Sequence, residues 1–242
     1  MVAVSPRDEP SGEEKRPPEI VYPDSDGEPM SDNTKQFRWI VTLKENLDAL
    51  VPDFVAGDHL WYPVEGRPDI RIGPDVMVCP GRPKGDRGSY RQWVEGGVPP
   101  KVVFEVLSPS NTLREMFRKG AFYTQYGVDE IIFVDPESNN GWARVRGVTG
   151  VLDEVDTIIG WTSPFLGIRF AQEDGELVVY GPDGARFLTW GEHAEQSRRA
   201  LERAEAEAQR AEAEAQRADA EAQRAARLAE RLRALGVDPE AL

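Results

Sequence analysis

The stretch from Lys101 to Asp135 constrains this chain more than any other. KVVFEVL is an apolar run of strand length, SPS is a turn, a helix-forming segment then runs to about Tyr126, and EIIFVD is a second apolar run stopped by Pro136. Strand, helix and strand within ~35 residues form a βαβ unit, so the two strands are expected to be parallel neighbours. Alternation puts Val102, Phe104 and Val106 on one face of the first strand and Lys101, Val103, Glu105 and Leu107 on the other. An ionised carboxylate on a core strand is costly unless a cation compensates it. Glu105 is therefore either paired structurally or part of a site.

The segments before this unit follow from turn and periodicity signals. Tyr22 to Asn33 carries turn residues, and Ser31 or Asp32 can cap a helix over 33–50 with Phe37, Ile40, Val41, Leu47, Leu50 and Val51 at helical spacing. DFVAG, HLWYPV and DIRI suggest short antiparallel strands. GPDVMVCP is another short strand, with Asp75 inside it although Asp is depleted in strands. A strand-start Asp that caps a turn accounts for it equally well on composition. Residues 80–100 read as a long loop carrying Arg82, Lys84, Arg87 and Arg91, either solvated or a source of phosphate contacts.

Within the βαβ unit, Ser110 or Asn111 is expected to cap the helix and Gly127 to end it. Leu113, Met116, Phe117 and Ala121 form its expected core stripe, while Glu115, Lys119 and Tyr123 share another face. Glu130 reads as a solvated acid at a strand start. Further short strands are expected at 142–149, 151–158, 177–180 and 186–189, with a turn and a short apolar segment at 161–168.

Composition narrows the function classes. The net charge is −14, with 20 Lys/Arg against 31 Asp/Glu in residues 1–190, which argues against broad non-specific nucleic-acid binding. One cysteine, Cys79, excludes a disulfide framework and a cysteine-built zinc site. No apolar run reaches the ~18 residues of a membrane span, and the acidic first residues lack a signal-peptide core. A cytoplasmic protein is expected.

Residues 204–224 are three near-identical heptads, AEAEAQR, AEAEAQR and ADAEAQR. Their alanines recur at spacings of four and three, the seam of a coiled coil. Alanine favours the helix but buries little area. Two readings stay open, a solvated single helix and a homodimer or oligomer formed through residues 194–232.

Asp75 and Glu105 are both acids on short apolar strands. On adjacent strands they can bind one divalent cation, which activates water and neutralises a phosphodiester. GPDVMV, FEVLSPS, a helix with Lys119 and Tyr123, and YGVDEIIFVDP together resemble the Uma-two family of putative restriction endonucleases, in the PD-(D/E)XK nuclease superfamily. The resemblance runs from about Tyr22 to Trp190, and the tail ending in RLRALGVDP resembles that of many members of one branch.

It implies an α+β (α/β) fold, with a restriction-endonuclease-like mixed β-sheet flanked by helices and a long coiled-coil-like helix after it. With the Pro-, Glu-, Asp- and Ser-rich residues 1–19 expected to be disordered, the organisation is a nuclease domain over 20–190, a charged heptad helix over 191–236 and a tail over 237–242. It implies DNA as substrate, Mg²⁺ or Mn²⁺ as cofactor, Asp75 as the "PD" aspartate and Glu105 as the second acid. The superfamily lysine normally lies two residues after that acid, where this chain has Leu107. Family members use a lysine from the following helix, and Lys119 stands at the matching place. Tyr123 and Glu115 are supporting residues, and Asp32 stands where relatives often carry Glu, as a further metal-site acid. The alternative reading is a catalytically inactive nucleic-acid- or protein-binding module that oligomerises through its C-terminal helix.

Overall fold

A computed structural model describes residues 20–27 and 31–235. The expected disorder of 1–19 and the tail at 237–242 lie outside the described residues. The first helix, α1 (Thr34–Leu50), starts one residue later than expected. Its cap is Asn33, whose Oδ1 accepts from the backbone N–H groups of Lys35 and Gln36. Strands β1 (Phe54–Gly57), β3 (Val76–Cys79), β5 (Val102–Val106), β6 (Glu130–Asp135), β7 (Asn140–Arg146) and β8 (Leu152–Val155) form one sheet in that spatial order. β5 and β6 pair in parallel and the other neighbours antiparallel, as a βαβ crossover inside a mixed sheet requires. The fold is α+β.

The sheet is covered on both faces, which explains why its central strands read as continuous apolar runs. Ile40, Leu43 and Leu47 of α1 pack on the Val76, Val102, Phe104 and Ile132 face. The hairpin of β9 (Arg169–Glu173) and β10 (Glu176–Tyr180) adds Phe170, Leu177 and Val179 to that core. The opposite face, with Met77, Val103, Ile131 and Phe133, receives Met116 and Tyr123 of α2 (Leu113–Tyr126).

Several expectations change. Thr112, not Ser110 or Asn111, caps α2, its Oγ1 accepting from the Glu115 N–H. Gly127 ends the helix in the left-handed region at φ +95°. Leu113 and Phe117 do not face the core: they are 76% and 77% exposed, while Met116, Gly120 and Tyr123 turn inward. The reason is the polar demand of Glu105, which draws Lys119 and Tyr123 under the helix and rotates the apolar pair outward. Phe37 is likewise 45% exposed.

The strand-like HLWYPV yields β2 (Trp61–Tyr62), which pairs in parallel with β4 (Tyr90–Arg91) inside the expected 80–100 loop; DIRI contributes only an isolated antiparallel bridge from Ile72 to Trp61. Residues 186–189 give an isolated bridge rather than a strand.

Among the described residues, 188–235 form a second unit. Its helix α3 (Trp190–Ala234) has 45 residues, begins with a Thr189–Glu192 capping box and buries no residue. At 1.5 Å per residue it is about 68 Å long. Among the described residues no helix is long and apolar enough to cross a membrane.

Candidate active site

Sheet register builds the site. Val76 pairs with Phe104 and Met77 with Val103 in the antiparallel β3–β5 ladder. Continued by one residue, the ladder sets Asp75 opposite Glu105, on the sheet face that α2 covers. The contact is direct at one point: the Val106 N–H donates to Asp75 Oδ2 at 2.6 Å. On the other side of β3, Gly57 pairs with Val76 and the Asp58 N–H donates to the Asp75 carbonyl at 3.0 Å.

Helix α2 supplies the cation. Lys119 Nζ donates to Glu105 Oε2 at 2.7 Å, and the Tyr123 hydroxyl donates to Glu105 Oε1. Glu105 is 1% exposed, so this pair of donors is what makes its burial affordable. Burial pushes the Glu105 carboxyl above its ordinary range, and the Lys119 charge opposes that shift. Asp75 is pushed well above its range by burial and then by the Glu105 charge. Burial acts to lower the Lys119 pKa, but Glu105 and Asp75 outweigh it and the ammonium lies above its usual value. Tyr123 is held well above a normal phenol by burial and by Glu105, so it stays a donor.

A cleft of about 470 Å³ opens onto Asp75 and Lys119. Asp32 and Glu115 also line it, as do Asp26, Asp58, Arg71 and Arg118. Asp32 is already engaged: its Oδ2 accepts from the hydroxyls of Ser108 and Ser110, which lower its pKa. Glu115 accepts a long 3.5 Å bond from Asn111 Nδ2.

Asp58 is the residue that sequence reasoning missed. It lies next to Asp75 at φ 44°, a left-handed conformation uncommon outside glycine, and burial followed by the Asp26 charge raises its pKa. The signal available in sequence was an Asp directly after a strand-ending Gly, which also describes an ordinary turn.

The four basic residues of the 80–100 segment do not line this cleft. Arg82 donates to the Glu95 carbonyl, Lys84 pairs with Asp48, Arg87 pairs with Glu95 at 2.6 Å and lies 4.0 Å from the Phe54 ring centroid, and Arg91 lies over Tyr22. The cations that do line it are Lys119, Arg71 and Arg118.

The family model described as "Uma2: Putative restriction endonuclease" matches residues 17–148, more than half of the chain. The chain belongs to the Uma2 family. The matched segment carries Asp32, Asp75, Glu105, Lys119 and Tyr123 and ends just beyond β7. Among solved structures, the chain is similar to a protein from Anabaena variabilis titled a putative nuclease belonging to DUF820, at 13% identity and TM-score 0.35, over 55% of this chain and 72% of that one. No curated protein matches the chain.

Asp75 has an oxygen to offer a Mg²⁺-like ion, and Glu105, whose two oxygens accept from Lys119 and Tyr123, would join it by exchanging one of those partners. Among the described residues no group of three or more His, Cys, Asp or Glu is gathered to hold a metal. Mg²⁺ does not need one, because it binds through one or two carboxylates and keeps several waters. Asp75 spends Oδ2 on the Val106 N–H, and its other oxygen takes no hydrogen bond among the described residues. Two neighbouring acids with raised pKa values are the electrostatic condition that a divalent cation relieves.

Proposed function

We propose that this Uma2 protein is a metal-dependent endonuclease that hydrolyses phosphodiester bonds of DNA, with Asp75 and Glu105 as metal ligands and Lys119 at the attacked phosphate. The observation that carries the reading is the contact of Lys119 with Glu105 across from Asp75, despite Leu107 standing where the superfamily lysine normally lies. A helix side chain thereby delivers an ammonium to the same sheet face. Mg²⁺ or Mn²⁺ bound at the two acids supplies water activation and charge neutralisation.

The chain's own residues divide the remaining work. Glu105 and Asp75 hold the Lys119 ammonium charged at the cleft wall, where it stabilises the extra negative charge of the transition state. Tyr123 fixes Glu105 from behind and does not ionise. Asp32, tied to Ser108 and Ser110, orients the β5–α2 turn and stands ready as an outer acid. Glu115 lowers the local potential beside Lys119. Arg71 and Arg118, which line the cleft, take phosphates beside the scissile one, and Arg82, Lys84, Arg87 and Arg91 meet more distant phosphates by exchanging their present partners.

Self-association through residues 194–232 is the second part of the proposal. The alanines of the three heptads are exposed, and a 45-residue helix without buried residues gains its tertiary stability by pairing. Sedimentation of the full chain should give a dimer mass; a monomer mass at all concentrations removes this part.

The test of activity is nicking of supercoiled plasmid by the full chain with Mg²⁺ or Mn²⁺. Cleavage should require the ion and be lost in Asp75→Ala. A variant that cuts as fast as the wild type contradicts the assignment.

A further inference from the structure

We propose that an apolar pocket on the other flank of α2 receives one unstacked nucleobase of the bound strand, while Arg114 and Arg118 contact phosphates beside it. The proposal rests on the nuclease reading and names the form of its substrate: a strand with an unpaired base at this position.

Helix α2 separates two cavities. Glu115, Arg118 and Lys119 line the acid cleft, whereas Met116, Phe117, Gly120 and Ala121 line a second cavity of about 340 Å³. The far wall is the stacked pair Phe133 and Trp142, with ring centroids 4.9 Å apart and planes 15° from parallel. Leu113 and Phe117 stand at the mouth, three-quarters exposed. Folding alone gives no reason for two large apolar side chains one turn apart in water beside an aromatic pocket, and such patches mark contact sites.

Gly120 adds an independent observation. It lies in the interior of α2, where glycine is a poorer helix former than any residue but proline. A Cβ there would stand 3.7 Å from Arg144 Nη1 and 3.9 Å from Phe133 Cζ, ordinary contact distances. Close packing therefore does not demand glycine. What its missing side chain does is keep the pocket open.

The polar atoms suit a base rather than a lipid or an apolar peptide. Arg144 and Glu154 sit at the rim, with Arg144 Nε 3.1 Å from Glu154 Oε1 yet buried without a hydrogen bond of acceptable geometry. Arginine offers only donors and glutamate only acceptors, and the edge of a base presents both. Arg114 and Arg118 are exposed, one turn apart, and form no ion pair among the described residues. On a chain of net charge −14, attraction for a polyanion has to be local; Arg114 follows the pocket residue Leu113 and Arg118 lines the acid cleft, so the two arginines offer it along α2 between the two cavities. A base inside a duplex cannot enter, so the pocket selects single-stranded or flipped-out nucleotides.

The test is fluorescence anisotropy of the full chain without divalent ions, using a short single-stranded DNA and a fully paired hairpin of the same composition. The wild type should prefer the single strand. Phe117→Ala, which removes an exposed wall, and Gly120→Leu, which fills the cavity, should each weaken that binding by about 10-fold. Arg114→Ala should reduce the salt slope by about one. Unchanged affinity in both pocket variants overturns the subsite while leaving the nuclease reading intact, and so does a dimer that Phe117→Ala converts to monomer with DNA binding unchanged. A wild type that binds neither DNA and cuts none with Mg²⁺ removes both readings.

Discussion

Glu105 and Glu130 lie on neighbouring parallel strands, both almost fully buried and both with carboxyl pKa values raised by burial. Their partners differ. Glu130 accepts from neutral donors, the Ser163 hydroxyl and the Phe165 N–H, and so pins the 163–168 turn to the α1 face of the sheet. Glu105 accepts from a lysine and a phenol on the opposite face and stands across from a second acid. They also sit at opposite ends of the parallel pair: Val102 is aligned with Glu130, and Glu105 with Phe133. Ligands of parallel strands bind beyond the carboxyl ends, which is the Glu105 end. Burial of a carboxylate thus does not distinguish the two acids; the charged partner and the second acid beside Glu105 do.

The largest expected effect on stability separates the two partner types. Lys119→Met leaves Glu105 buried with only Tyr123, and loss of one member of a buried ion pair destabilises by roughly 3–5 kcal/mol. Chemical denaturation should show this at pH 7; a change below about 1 kcal/mol would mean that the pair is not the support of Glu105. Glu130→Gln removes one acceptor from a neutral network and should cost about 1–3 kcal/mol, with plasmid nicking unchanged. Loss of nicking in a folded Glu130→Gln protein would erase the contrast between the two acids.

Asp75→Asn should act in the opposite direction. It removes the half-buried acid that faces Glu105 and keeps an oxygen for the Val106 N–H. Thermal denaturation is expected to show a gain of roughly 0.5–2 kcal/mol, as when a functional constraint is relaxed, together with lost nicking. A loss of stability would indicate that Asp75 is a structural acid.

The smallest effect concerns Asp129, the neighbour of Glu130. Burial works to raise its pKa, but hydrogen bonds from Lys101 and Arg146 prevail and hold it below the ordinary range. A depressed carboxyl stabilises the fold above its unfolded pKa and loses that contribution as pH falls through the folded value. Asp129→Asn should therefore cost at most about 1 kcal/mol at pH 7, and the difference from wild type should disappear as pH falls through the depressed folded value. A difference that persists in acid would assign the effect to packing instead.

The placement of Glu105 and Asp75 on facing strands was legible because strand periodicity and ladder register are short-range rules. They identified Glu105 as anomalous, and the βαβ unit fixed the parallel pair. The role of the helix lysine came from the family resemblance, not from spacing. Glu130 was misread as solvated because the turn that covers it, 163–168, comes more than thirty residues later and nothing local announces the contact. The α2 stripe was misread for a related reason. Leu113, Met116, Phe117 and Ala121 have helical spacing, but the helix is rotated by the buried carboxylate it serves, a tertiary demand invisible to periodicity. Asp58 was missed because its identity as a site residue depends on β1 lying beside β3.

The central claim is that Glu105, and not its equally buried neighbour, belongs to a metal-dependent active site. The most direct measurement is plasmid nicking with Mg²⁺ by wild type, Glu105→Gln and Glu130→Gln, each confirmed folded by circular dichroism. The account predicts nicking by wild type and Glu130→Gln and a loss of about 100-fold or more in Glu105→Gln. Equal nicking by wild type and Glu105→Gln would contradict it.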